Sequence, residues 1–137
     1  MQQQRHGETR ADDAKRVVSL LKRKLTVPIS IDTLNSEEIE AALLCGADMI
    51  LSLNSQNINK INNPHDLKDV VAVVIPEKRD TGEDRVASLE NNIRKAAEVG
   101  FKKIIADPIL DPLVFPGTVT SIVVANLFSK KNPDVPL

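Results

Sequence analysis

Four short runs of the chain are nearly continuous in apolar, often β-branched residues: Pro28 to Thr33, Asp48 to Asn54, Val70 to Pro76 and Lys103 to Leu110. Continuous rather than alternating runs predict strands covered on both faces, as in a parallel sheet. Between them the pattern changes to helical spacing. Asp12 to Lys24 puts Ala14, Val17, Val18, Leu20 and Leu21 at helical spacing, with Lys22, Arg23 and Lys24 at the end where cations favour the helix dipole. Asn35 followed by Glu38 predicts a capped helix start, and that helix runs to Cys45 before Gly46 stops it. Thr81 and Asp84 make a similar start for a third helix with Val86, Leu89, Ile93 and Ala96 or Ala97 on its apolar face and Gly100 at its close. A short helix around Gln56 to Ile61 fits between the second and third strands, and Thr118 to Ser129 is the last helix, capped near Gly117 or Thr118. Parallel strands joined by right-handed helical crossovers follow from this order, so the fold class is α/β.

The β/α units have the length of the eight-fold α/β barrel repeat, yet 137 residues fall well short of the roughly 250 of a whole barrel. The two ends bear on this. Leu21 to Ile29 runs from a basic helix end through a short linker to Val-Pro-Ile and into a strand; Phe128 to Leu137 follows the same course to Val135-Pro136-Leu137 and stops there. The chain also opens on a helix with no strand before it, although a βα unit starts with one. The expectation is a single domain over residues 1–137 that makes about half of a TIM (β/α)8 barrel, truncated at both ends. A half-barrel leaves two strand edges unpaired and an apolar face uncovered, which natural sheets usually avoid. The rival architecture is a small, complete, flavodoxin-like sheet.

Composition narrows the function. Hydrophobic residues at 42% and charged residues at 27% are those of a globular protein that buries a core. A net charge of −1 without a dominant basic cluster lacks the footprint of a nucleic-acid binder. Apolar stretches such as Val70 to Ile75 are far below the roughly 18 residues that span a bilayer, and Met1 to His6 has no signal-peptide core, which predicts a cytoplasmic protein without a membrane role. A single cysteine, Cys45, forms no intrachain disulfide; with only His6 and His65 beside it there is no zinc set of the usual spacing, and Cys45 reads as a small buried hydrophobe. No Ser-His-Asp arrangement is suggested, since His6 lies in a polar tail and His65 in an Asn/Pro loop. Lys22-Arg23-Lys24 and Lys130-Lys131 read as solvated helix ends, and Glu77 to Asp80 as a mixed loop after a strand end, from which Lys78 or Arg79 could reach a substrate.

In parallel α/β sheets functional groups gather at the C-terminal strand ends. Three polar residues end strands here: Asp32, Asn54 and Asp107. Two carboxylates and a carboxamide converging on one pocket suit a ring with amidine-like N–H donors, because paired acceptors hold such donors in a fixed plane. The competing reading has Asp32 capping the next helix and Asp107 bracing a turn shaped by Pro108 and by the second Asp-Pro pair, Asp111-Pro112. Spacing alone does not separate the two.

Val27 to Thr33, then Glu40-Ala41-Ala42 and Gly46 to Ile50, resemble the central stretch of dihydropteroate synthase and its relatives, the pterin-binding barrels. Gly7-Glu8-Thr9-Arg10 is similar to the loop after that family's second strand, and Ile104 to Pro108 to its sixth-strand Asp-Pro. The resemblance runs in order over nearly the whole chain. It implies that strand-end residues, here Asp32 and Asp107, hydrogen-bond a pterin, and that Thr9 and Arg10 help to bind pyrophosphate and the second substrate. An ungapped match from Gly46 puts Leu51 where the family has Asn, so Asn54 is the substitute. The family's first-strand Asn, seventh-strand Lys and eighth-strand Arg-x-His lie outside the chain, and Ile109 to Leu113 replaces its glycine-rich stretch. These departures resemble the archaeal dihydropteroate synthase-related branch.

The implied reaction condenses hydroxymethyl-dihydropterin pyrophosphate with an arylamine, as in folate or methanopterin-type biosynthesis. No intrinsic cofactor, structural metal or protein nucleophile is implied, beyond Mg2+ that could accompany the pyrophosphate. The alternatives are methyl transfer from a reduced pterin to a separate corrinoid protein, and a non-catalytic pterin-binding module. The 137 residues alone are expected to be inactive, and the full-length protein could form a homodimer.

Overall fold

A computed structural model describes residues 9–61, 66–77 and 81–137. His6, Gly7, Glu8, His65, Lys78 and Arg79, all singled out above, lie outside those residues. The described chain runs α1 (Arg10–Lys24), β1 (Ser30–Asp32), α2 (Ser36–Leu44), β2 (Met49–Leu53), α3 (Ser55–Ile58), a 3-10 turn (Leu67–Asp69), β3 (Val71–Val74), α4 (Gly82–Val99), β4 (Lys103–Ala106) and α5 (Thr118–Lys131). The strands form one parallel sheet in the order β1-β2-β3-β4. Each strand therefore lies beside its sequence neighbour, as in successive units of a barrel, whereas a flavodoxin-like sheet reverses its order at a switch point.

Register fixes what each face of the sheet carries. Ile31, Ile50, Ala72 and Ile104 lie in one row. Ile50, Leu53, Ala72, Val74 and Ala106 are buried together with Ile39, Leu89, Phe101, Val124 and Phe128 in the core between sheet and helices. The opposite face carries Met49 and Val71 in one row and Val73 and Ile105 in another, all only partly buried. The expectation of equal cover on both faces is thus met on the helix side alone. Among the described residues nothing covers the other side, which in a barrel is the interior. At the free edge of β4 the Ala106 N–H donates to the Pro136 carbonyl at 2.8 Å, as the Asp48 N–H does to Ile29 across β1 and β2. Val135-Pro136-Leu137 therefore sits where the next strand of the ladder belongs.

The Gly46-Ala47-Asp48 motif works at the opposite end of the sheet from the strand-end carboxylates. Gly46 takes φ +86°, the left-handed conformation that ends α2, and Ala47 N–H returns to the Ala42 carbonyl at 3.0 Å. Asp48 then joins α1 to β1: its Oδ2 accepts from Lys22 Nζ at 2.8 Å and from the Ile29 N–H at 2.7 Å. The Lys22 ammonium, then the Ile29 amide, hold its pKa below the ordinary 3.8. A depressed carboxylate contributes stability above its unfolded pKa and loses it as pH falls through the folded value. Asp48→Asn is therefore expected to cost about 1 kcal/mol at neutral pH, a cost that shrinks progressively as pH falls from 3.8 toward the lower folded pKa, which urea unfolding over a series of acid pH values checks.

Candidate ligand site at the C-terminal strand ends

Asp32 is the last residue of β1 and exposed, and Asp107 follows β4 directly and is exposed. They lie three strand spacings apart, roughly 14 Å along a flat sheet and less along one that curves toward closure. Each carboxylate is tied through one oxygen to a residue in an unusual backbone state. Ser52 Oγ donates to Asp32 Oδ1 at 2.7 Å, and the Ile109 N–H donates to Asp107 Oδ1 at 2.7 Å. Ser52, with φ +66°, and Ile109, with φ +57°, are the non-glycine residues with positive φ among those described. A β-branched residue there is a genuine outlier, and such strain concentrates where a site needs it.

The Ser52 conformation belongs to a bulge. Ile50 pairs with Ala72 and Leu53 with Val74, so Leu51 and Ser52 together oppose Val73. Strict alternation would place Ser52 beside Ile50 on the helix-covered face; the extra residue instead lets its hydroxyl reach Asp32. Asn57, 1% exposed, braces the bulge: its Nδ2 donates to the Ser52 carbonyl at 3.1 Å, and its Oδ1 accepts from the Asn54 N–H at 2.9 Å. Asn54 is buried and N-caps α3, its Oδ1 accepting from the Gln56 N–H at 3.0 Å. Its carbonyl oxygen is thus engaged in capping rather than open.

The loop after β4 is clamped from α4. Arg85, on the first turn of α4 and 4% exposed, donates through Nη1 to the Ile109 carbonyl at 3.1 Å and pairs with Asp111 Oδ2 at 3.4 Å. Ile109 is therefore held at both its amide and its carbonyl, and the Asp107 carboxylate with it. Neither Ser52 nor Arg85 was singled out by sequence reasoning. Ser52 looks like one more residue in an apolar run, and Arg85 sits beside Val86 on the predicted apolar face with no feature to mark its burial.

Thr9 and Arg10 reach this end of the sheet, but as part of α1. Thr9 is its N-cap, accepting from the Asp12 N–H, while Asp12 returns to the Thr9 backbone in a capping box. The helix therefore begins two residues before the predicted Asp12 start. Arg10 Nε lies 2.6 Å from Glu38 Oε1, and Thr33 Oγ1 donates to Glu38 Oε2 at 2.8 Å, which draws Arg10 to the residue after Asp32. Its side chain is still 73% exposed. Beside these groups is an open polar hollow of about 320 Å3 lined by Leu34, Asn35, Ser36, Glu37, Gln56 and Lys60. Among the described residues no three His, Cys, Asp or Glu side chains gather as metal ligands, and no helix is long and apolar enough to cross a membrane.

Comparison with known proteins gives these strand ends a context. A family model described as pterin binding enzyme matches residues 3–121. An uncharacterised protein of Methanocaldococcus jannaschii is 35% identical over 134 residues, covering 92% of this chain and 26% of that protein. The dihydropteroate synthase of Yersinia pestis, solved with a pterin–sulfa conjugate, superposes with a TM-score of 0.60 at 16% identity, over 100% of this chain and 57% of the synthase. That likeness is one of fold: the four parallel strands match part of a barrel, and the chain spans only part of the length of both relatives.

Proposed function

The chain belongs to the pterin-binding enzyme family, and from that premise we propose that the full-length protein is a dihydropteroate synthase-like transferase with its pterin pocket at the strand ends of Asp32 and Asp107. The observation that carries this reading is the pairing of each carboxylate with a strained residue at the sheet end where barrels hold ligands. In each case Oδ1 is occupied and Oδ2 has no partner among the described residues. Two acceptors at the same end of the sheet, one closing β1 and one following β4, suit a flat ring that carries several N–H donors. Asn54 stands behind the bulge as a third polar group, with its amide nitrogen as the part left to a ligand.

In this reading Asp32 and Asp107 anchor the ring and stabilise the positive charge that develops on it as the methylene C–O bond breaks. Pyrophosphate leaves with the electron pair, the arylamine nitrogen forms the new bond to the methylene carbon, and that nitrogen then loses a proton. Arg10 exchanges Glu38 for a pyrophosphate oxygen pair, a fork-shaped donor set that suits phosphate as well as carboxylate. Thr9 fixes Arg10 at the start of α1. Mg2+, where it takes part, would be carried by pyrophosphate oxygens and water, in keeping with its reluctance to dehydrate.

The test is turnover by the full-length protein with hydroxymethyl-dihydropterin pyrophosphate and p-aminobenzoate. Release of pyrophosphate with formation of the pterin–arylamine product is expected. Pterin binding without product in the presence of a range of arylamines would overturn the transferase reading in favour of methyl transfer or a binding module, and corrinoid-dependent demethylation of a methylated pterin separates those two.

A further inference from the structure

We propose that Ser52 is a positioning residue of the pterin pocket, holding Asp32 by its Oδ1 so that Oδ2 is the oxygen offered to the ligand. The inference rests on the pterin reading above and adds to it a residue that lies one place beyond the position matched to the family's Asn.

The backbone around Ser52 is built so that its hydroxyl reaches Asp32. The bulge against Val73 inserts the extra residue that takes Ser52 out of strict alternation. The left-handed backbone at φ +66° is uncommon outside glycine and is kept here by a serine. The buried Asn57 amide secures the Ser52 carbonyl, with a second, longer contact from the same nitrogen to the Leu34 carbonyl at 3.5 Å, so one buried side chain ties the bulge to the loop after β1. A glycine would adopt this conformation more readily and brace the bulge equally well. What it would lack is the hydroxyl, and the hydroxyl bonds to the candidate ligand carboxylate.

A carboxylate at an exposed strand end otherwise samples several rotamers and offers either oxygen. Fixing Oδ1 removes that freedom before the ligand arrives, and a preorganised acceptor binds more tightly than a mobile one. The open Oδ2 then accepts one N–H.

The full-length protein is titrated with 6-hydroxymethylpterin, followed by pterin fluorescence, as wild type, Ser52→Ala, Ser52→Gly, Asp32→Asn and the Ser52→Ala/Asp32→Asn double variant. Ser52→Gly is expected to unfold at the same or a higher denaturant concentration than wild type and yet bind about tenfold more weakly, because it relieves the backbone and removes the hydroxyl. Ser52→Ala is expected to bind about tenfold more weakly in the wild-type background but no more weakly than its parent in the Asp32→Asn background, where releasing the amide lets its oxygen turn toward the ligand. Wild-type affinity in Ser52→Gly, or equal losses from Ser52→Ala with and without Asp32, overturns the positioning role while leaving the pterin reading standing. Absence of pterin binding by the wild-type protein overturns both.

Discussion

Asp32→Asn in the full-length protein is expected to weaken pterin binding by about 10- to 150-fold, the factor that accompanies loss of a hydrogen bond to a charged acceptor worth roughly 1.5–3 kcal/mol. Asparagine keeps the shape of the side chain and can still accept from Ser52 Oγ through its carbonyl oxygen, so the bulge and the Asn57 brace stay in place. What changes is the second position. An NH2 group replaces Oδ2 and confronts a ligand N–H donor to donor, without the charge that balances a ring growing positive. Denaturant unfolding of the variant should match wild type to within about 0.5 kcal/mol, as for an exposed surface substitution. A loss of binding smaller than twofold would place the ligand elsewhere.

Arg85→Met should have the largest effect on folding. It removes the clamp on the loop after β4: the Ile109 carbonyl loses its donor, and Asp111 loses its cationic partner at 3.4 Å. Breaking a fully buried pair costs roughly 3–5 kcal/mol. The Asp111 side chain is 25% exposed and water can reach it once the arginine is gone, so the expected cost is lower, about 2–3 kcal/mol. Urea unfolding measures it. Pterin affinity should fall as well, because Ile109 then relaxes out of its left-handed conformation and Asp107 Oδ1 loses the amide that fixes it. Unchanged stability would mean that the buried guanidinium is held by contacts other than this loop.

The strands and helices were readable because their signals are local. Asn35, Thr81, Gly46 and Gly100 end or start helices through their own side chains or backbone freedom, and all four stand at the predicted boundaries. The start of α1 lies two residues before the helical pattern's Asp12 because the polar pair Thr9 and Asp12 caps it ahead of the first apolar position. The barrel-type strand order was legible from unit length and from the matching course of the two chain ends, and the sequential order β1-β2-β3-β4 agrees with it over the flavodoxin-like rival. Within the site, Asp32 and Asp107 could be picked out by residue type at a strand end. Their partners could not. Ser52 enters the site by a bulge that breaks the two-residue period used to assign faces, and Asn57, Arg85 and Glu38 are polar residues buried by contacts 5 to 28 residues away in sequence. Asn54 illustrates the reverse case, a polar strand end whose carbonyl oxygen serves as a local cap.

The most direct test of the central claim is a crystal structure of the full-length protein with 6-hydroxymethylpterin bound. The account predicts the ring at the C-terminal ends of β1 and β4, one N–H on Asp32 Oδ2 and another on Asp107 Oδ2, with the Ser52 and Ile109 contacts to the two Oδ1 atoms unchanged. A pterin seated elsewhere, such as in the groove between α4 and α5 lined by Val86, Ala87 and Leu127, or bound with Asp32 and Asp107 both untouched, would contradict it.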